Sequence, residues 1–191
     1  MSERSVPHGS GRDVLIAAAI AVVAESGLRG LTFRAVSQRA DLSNSLISHH
    51  FGSREALLEA AVGWAVANSI ATTELFAFVA GQITAEEFLA SLATSGDVLA
   101  FQSEMIVEAR RNPVFRTPIL DLYKSYQQVT EAALRARGLQ DVADAGRWVF
   151  ASLNGIVMQR MAGIDDDRLR GALEDLQIEL LARAERPASR S

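Results

Sequence analysis

Three small polar side chains, those of Asn44, Ser45 and Ser48, are spaced so that they share the outward face of a short helix. An asparagine amide can form two hydrogen bonds with the edge of adenine, and a serine hydroxyl can bond to any base. A short helix with such a face fits the major groove of DNA. These residue types predict base contacts; the alternative is an ordinary polar surface.

Two helices joined by a tight turn would hold this face in place. Thr32 is expected to cap a first helix over residues 33–40, because its hydroxyl can accept from a free N–H of the first turn. Ser43 is expected to cap a second helix over residues 44–50. The apolar side chains of that second helix face inward: Leu46, Ile47 and Phe51. The pattern predicts a helix-turn-helix.

Further candidates for DNA contact lie where helices start. Thr32, Ser43 and Ser53 each precede a predicted helix, where unpaired N–H groups can bind a cap or a phosphate. Arg54 is a candidate charged donor to phosphate, and the alternative is a solvated surface arginine. Arg34 has the same candidate role, with an intrahelical salt bridge as the alternative.

The composition limits the class of protein. Hydrophobic residues make up 49% of the 191 residues and charged residues 22%, which excludes a mostly disordered chain. Cysteine is absent, which excludes disulfides and thiolate chemistry, and no apolar run reaches the length of a membrane span. Residues 1–60 are neutral, and the remainder carries the net charge of −4, so DNA contact requires a focused surface. We expect a cytoplasmic protein.

Hydrophobic residues recur at a helical period along the chain, without the alternation typical of strands. We predict an all-α fold of about nine helices. The first is expected over residues 13–25, ended by Gly27, and Thr84 with Glu87 predicts a capping box that opens a later helix. The inward face of the first helix is expected to consist of Val14, Ala17, Ala18, Ala21 and Val22.

Residues 12–59 resemble the N-terminal DNA-binding domain of the TetR family of bacterial transcriptional regulators. The resemblance is carried, in order, by AESG at 24–27, GLTF at 30–33 and SNSLISHHFGSREAL at 43–57. The chain departs from the common pattern at Ser45, where glycine is frequent, and at Ser48 and His49, where tyrosines often contact the DNA backbone. His49 is accordingly a candidate backbone contact.

The resemblance implies a homodimer with two domains. Residues 12–58 would form the three-helix helix-turn-helix domain and 59–186 a helical ligand-binding and dimerisation domain, with flexible tails at 1–11 and 187–191. Its implied partners are a double-stranded DNA operator and a small-molecule effector, and its implied function is a repressor that the effector releases. The alternative is a helical module that binds a small molecule or protein, with weak or no DNA binding.

Aromatic and methionine side chains at helical spacing are candidates to line an apolar ligand pocket, although such residues also build ordinary cores. They are Trp64, Phe76, Phe101, Met105, Tyr123, Tyr126 and Met158. The last two predicted helices carry more apolar surface than packing on one side needs. Candidates for a dimer contact there, with packing inside the chain as the alternative, are Trp148, Ala151, Gly155, Leu169, Leu173, Leu176 and Leu180.

We expect no cofactor, metal site or enzymatic activity. His49 and His50 are adjacent and would point about 100° apart on a helix, and no cysteine or carboxylate cluster completes a metal site around them. The run of aspartates at 165–167 is typical of a helix start. All three histidines lie within the first 50 residues, and the chain has no nucleophile motif or phosphate-binding glycine loop.

Overall fold

A computed structural model describes residues 10–67 and 71–185 of the protein. Those residues form ten α-helices and one 3₁₀ turn, with no strand, so the predicted all-α fold is confirmed. The 3₁₀ turn, Pro113–Phe115, stands directly before the eighth helix. The helices are α1 (Ser10–Gly30), α2 (Phe33–Ala40), α3 (Asn44–Phe51), α4 (Arg54–Ala67), α5 (Ala71–Val79), α6 (Ala85–Thr94), α7 (Gly96–Ala109), α8 (Arg116–Ala136), α9 (Val142–Met161) and α10 (Asp166–Ala184).

The chain divides into two compact units. The first unit combines the chain up to residue 69 with Gly96–Leu120, and the second combines Ile70–Ser95 with the residues from Asp121 onward. Within the first unit, α7 packs on α1 and α4. The N-terminal helices therefore share their unit with a later part of the chain, and the domain boundary after residue 58 stays a prediction.

Helix α1 is the centre of the first unit, because α2, α3, α4 and α7 all pack on it. Burial on several sides explains why its predicted inward face was partly wrong. Val14 is 41% exposed and Ala17 is also exposed, whereas three residues outside the predicted face are fully or almost fully buried: Leu15, Ile16 and Ala19. The helix breaks at Gly27, as predicted, where the backbone takes the left-handed φ of 66°.

In the second unit, α10 packs on α6 and α9, and α5 packs on α6. Phe78 of α5 stacks on Phe88 of α6 with 4.6 Å between the ring centroids. Arg137, just after α8, donates to the carbonyls of Val79 at 3.1 Å and Gln177 at 2.9 Å. The Gln177 amide donates to the Phe78 carbonyl at 2.5 Å. This network ties the ends of α5 and α8 to α10.

The predicted capping box at the start of α6 is present. The Thr84 hydroxyl accepts from the Glu87 amide at 3.2 Å, and the Glu87 carboxylate accepts from the Thr84 amide at 2.8 Å. These bonds to Thr84 hold the pKa of the Glu87 carboxyl below its usual value. Over the ranges 10–67 and 71–185, no helix is both long and apolar enough to cross a membrane.

Candidate nucleic-acid interface

Helices α2 and α3 begin at side-chain caps and are joined by a tight turn. The Thr32 hydroxyl accepts from the Ala35 amide at 3.1 Å, and the Ser43 hydroxyl accepts from the Leu46 amide at 3.3 Å. Asp41, at the end of α2, takes the left-handed φ of 53° and turns the chain towards α3. Both predicted caps are therefore confirmed.

Helix α3 presents a polar face and buries an apolar one. Ile47 is fully buried, whereas the predicted contact residues are all exposed: Asn44, Ser45, Ser48 and His49. Two hydroxyls on this face have local partners, since that of Ser45 lies 2.8 Å from the Ser43 hydroxyl and that of Ser48 donates to the Asn44 carbonyl at 3.2 Å. The structure thus brings the four candidates together on one surface.

A cleft of ≈ 560 Å³ lies between the start of α2 and the start of α4, and its lining includes Gly52, the residue that follows α3. The Ser53 hydroxyl caps α4 by accepting from the Ala56 amide at 3.1 Å, as predicted. The first N–H groups of each helix have no acceptor within their own helix, so two helix starts offer donors to one space. This arrangement suits an anion such as a phosphate. The residues lining the cleft are Arg29, Leu31, Thr32, Phe33, Gly52, Ser53 and Arg54.

Arg29 and Phe33 belong to this cleft but were not among the candidate residues. Arg29 is exposed and lies three residues before the cap of α2. A basic side chain so close to a predicted helix start was the signal that could have identified it. Phe33 is half-buried and forms part of the apolar lining.

The two candidate arginines have different surroundings. Arg34 is exposed and takes part in no ion pair within residues 10–67 and 71–185, so the salt-bridge alternative finds no support there. The Arg54 side chain is partly exposed, and its guanidinium donates to the backbone carbonyls of Leu28 and Leu31. A phosphate contact by either residue remains a prediction.

The candidate pocket residues are divided between the two units. Phe101 and Met105 are buried and Trp64 half-buried in the first unit. The remaining four lie in the second unit, where Met158 is exposed and three are half-buried: Phe76, Tyr123 and Tyr126. Their role as ligand contacts stays a prediction.

An aromatic cluster of α8 and α9 contains two of these residues and one that sequence reasoning missed. The Phe150 ring lies edge-on to Tyr123 at 5.6 Å and stacks with Tyr126 at 5.8 Å, measured between ring centroids. Phe76 faces an open groove of ≈ 460 Å³ in the same unit, lined also by Thr73, Ser125, Gln128, Val129 and Ala132. The second unit therefore offers aromatic surface in two places.

The prediction that four leucines of α10 contact a second copy of the chain needs correction. All four are buried inside the chain, because α10 uses that face to pack on α6 and α9: Leu169, Leu173, Leu176 and Leu180. The opposite face of α10 exposes Ile178 at 67% and Leu181 at 53%. Of the three candidates on α9, Trp148 is half-buried beneath Arg183, Ala151 is exposed and Gly155 is half-buried.

His49 and His50, considered above as a metal pair, pack against each other. The His49 and His50 rings meet edge-on with 5.4 Å between centroids. In the part of the chain that the structure describes, no three histidine or acidic side chains are grouped so that they could hold a metal ion.

Comparison with known proteins finds matches to both parts of the chain. Residues 15–61 match the family described as bacterial regulatory proteins, tetR family. Residues 71–183 match the family described as tetracyclin repressor-like, C-terminal domain. Together these two matches cover almost all of the described residues.

Individual relatives agree with these matches. The chain is 30% identical to the HTH-type transcriptional regulator BetI of Paraburkholderia xenovorans (strain LB400), over 75% of this chain and 83% of that protein. Its fold is similar to a transcriptional regulator from Saccharomonospora viridis in complex with choline, with a TM-score of 0.69 and 21% identity over 88% of this chain and 96% of the other. The multidrug binding protein EbrR complexed with imidazole has a TM-score of 0.56 and 26% identity, over 99% and 96%.

Proposed function

Because the chain belongs to the TetR family of bacterial regulatory proteins and is a DNA-binding transcriptional regulator, we propose that it is a repressor which a small molecule releases from its operator. The family consists of regulators rather than enzymes. A ligand can shift such a protein only as far as its affinity differs between the DNA-binding and released conformations.

The observation that carries the DNA-binding part of the proposal is the exposed polar face of α3, supported by a cleft between the starts of α2 and α4. We assign base contacts to Asn44, Ser45 and Ser48, whose side chains are exposed there. Phosphate contacts are assigned to the helix starts at Thr32, Ser43 and Ser53, and to three exposed side chains of the same unit: Arg29, Arg34 and His49. The first 60 residues are neutral, so these local donors must supply the affinity.

A homodimer would place two α3 helices in successive major grooves, roughly 34–36 Å apart. We propose that its contact uses the outward faces of α9 and α10. Those faces present Ala151, Met158, Ile178 and Leu181 to solvent in the single chain. Exposed apolar residues at helical spacing on neighbouring helices are what a four-helix contact between two copies requires.

For the effector we propose a small organic cation. The regulator from Saccharomonospora viridis holds choline, and aromatic rings attract quaternary ammonium groups through their faces. In this chain, Tyr123, Tyr126 and Phe150 form an aromatic cluster, and the residues beyond position 60 carry the net negative charge. Both features favour a cation over an anion.

The repressor proposal is tested by selecting duplexes from a random pool with the purified protein and then adding choline. We expect a two-fold symmetric site to be enriched and choline to lower the fraction of it that is bound. A promoter fusion carrying the selected site should be less active when the protein is present. Failure to retain any duplex at low salt would contradict DNA binding, and higher promoter activity with the protein would contradict repression.

A further inference from the structure

Arg54, the first residue of α4, reaches the turn that joins α1 to α2. Its Nε donates to the Leu31 carbonyl at 2.7 Å, and its Nη2 donates to the Leu28 carbonyl at 2.5 Å. Leu31 immediately precedes Thr32, the cap of α2. One side chain thus connects the start of α4 to the backbone that leads into α2.

The turn that Arg54 contacts contains two glycines. Gly27 takes a left-handed φ of 66°, and a Cβ on Gly30 would lie 2.4 Å from the Ser26 Cβ, so the backbone passes Ser26 closely there. The Leu28 carbonyl also accepts from the Leu31 amide at 3.3 Å, in a turn rather than a regular helical bond. The Arg54 guanidinium adds charge-assisted bonds to this carbonyl and to that of Leu31, and it complements the negative end of the helix dipole.

The same bonds occupy one of the edges with which a guanidinium can bind an oxyanion. Arginine holds a phosphate with two parallel bonds from one planar edge, and in Arg54 the Nε–Nη2 edge is directed at the two carbonyls. The remaining nitrogen, Nη1, lies 3.9 Å from the Glu55 carboxylate.

We propose that Arg54 is a positioning residue for DNA binding. It fixes the spacing between the starts of α2 and α4 across the cleft, and the backbone N–H groups of those starts receive the phosphate. This inference rests on the proposed function, but it changes the role expected of Arg54 from the sequence. Without Arg54, the turn at residues 27–31 loosens and the two sets of donors no longer converge.

The test compares Arg54→Lys and Arg54→Ala with the parent on the duplex that the parent selects. Lysine keeps the positive charge but lacks the planar fork. We expect both variants to bind about tenfold more weakly or worse, equivalent to about 1.4 kcal/mol. The slope of log K against log salt should stay that of the parent, because a side chain that touches no phosphate releases no counterion. Arg34→Ala is the contrasting variant and should lower the slope by about one per subunit.

Hydrogen exchange of the DNA-free protein supplies a second readout. Amides of residues 28–35 should exchange faster in both Arg54 variants than in the parent and in Arg34→Ala. If circular dichroism shows that Arg54→Ala does not fold, the results for Arg54→Lys alone test the proposal. Parent-like affinity of Arg54→Lys would overturn the proposal, as would a salt slope reduced by about one per subunit in Arg54→Ala with unchanged exchange. If the parent retains no duplex, the proposed function fails, and the exchange measurement still tests the hold of Arg54 on the turn.

Discussion

Glu131 of α8 lies directly over Gly146 of α9: a Cβ on Gly146 would stand 2.9 Å from the Glu131 Cγ. The Glu131 carboxylate also accepts from Gln127 at 3.4 Å and Arg135 at 3.3 Å, so the side chain is held on the same stretch of α8. The close approach of α8 and α9 at this point depends on the missing side chain of Gly146.

Gly146→Ala should therefore destabilise the protein by about 1 kcal/mol, because overpacking outweighs the better helix propensity of alanine. Gly63→Ala is the matched control, since a Cβ there meets nothing within 4 Å. In that control only the propensity changes, and the protein should gain up to about 1 kcal/mol. Urea unfolding of the three proteins measures both effects. Equal gains in the two variants would show that Glu131 moves aside without cost.

The pH dependence of stability should contain a contribution from Glu87. Its pKa is lowered in the folded protein by bonds to Thr84, so the folded state favours the ionised carboxylate. That stabilisation is fully present above the pKa of glutamate in the unfolded chain and is lost as pH falls through the lower folded value. The advantage of the parent over Glu87→Gln should shrink with acidification. Glu86→Gln, one residue away, is the control. A difference in stability between the parent and Glu87→Gln that stays constant with pH would contradict the prediction.

DNA recognition should divide into base-specific and uniform effects. Asn44→Ala should cost roughly 1–3 kcal/mol at selected base pairs and leave other duplexes unaffected. Arg34→Ala should instead weaken all duplexes alike. Binding to the selected duplex and to single-base variants of it separates the two. A uniform loss in Asn44→Ala would remove that residue from base reading.

The two faces of α10 should respond to substitution in different ways. Ile178→Glu places a charge on the exposed face and should convert dimers to monomers with little loss of helix content. Leu173→Ala removes a fully buried side chain and should cost about 2–5 kcal/mol of stability. Sedimentation and thermal unfolding measure the two effects. Ala90→Glu, at an exposed position on α6, controls for the added charge. A dimer that survives Ile178→Glu would place the contact between subunits elsewhere.

The effector proposal predicts that ligand binding depends on the positive charge of the ligand. Choline should raise the melting temperature of the DNA-free protein once its concentration exceeds the dissociation constant, and the rise should grow with the logarithm of concentration. The neutral analogue of the same shape, 3,3-dimethylbutan-1-ol, should have a much smaller effect. Phe150→Leu should reduce the response to choline. Equal shifts with the charged and neutral compounds would exclude recognition of a cation.

The sequence predicted the local features of the fold well. Caps at Thr32, Ser43, Ser53 and Thr84 depend on a side chain and the N–H groups two or three residues onward, so short sequence patterns contain all the necessary information. The break at Gly27 is equally local, since few residues other than glycine adopt its φ. Local patterns of this kind were therefore enough to delimit the helices of the helix-turn-helix.

Features that depend on distant residues were not predictable in the same way. The leucines of α10 follow a regular helical pattern, but the pattern does not say whether α6, α9 or a second copy covers them. Arg54 meets carbonyls more than twenty positions earlier in the chain, so its sequence neighbours suggested only a surface role. Helix α1 is apolar around most of its circumference, and no single inward face can be chosen from such a sequence.

The hydrogen bond from the Ser48 hydroxyl to the Asn44 carbonyl determines whether that hydroxyl can donate to DNA or accept from it. With its hydrogen committed to the backbone, the Ser48 hydroxyl presents only lone pairs outward and can act towards DNA solely as an acceptor. Amino groups that face the major groove belong to adenine and cytosine, whereas guanine and thymine offer carbonyl oxygens there. While that bond persists, the base opposite Ser48 should be adenine or cytosine, and the operator should carry that preference at two symmetric positions.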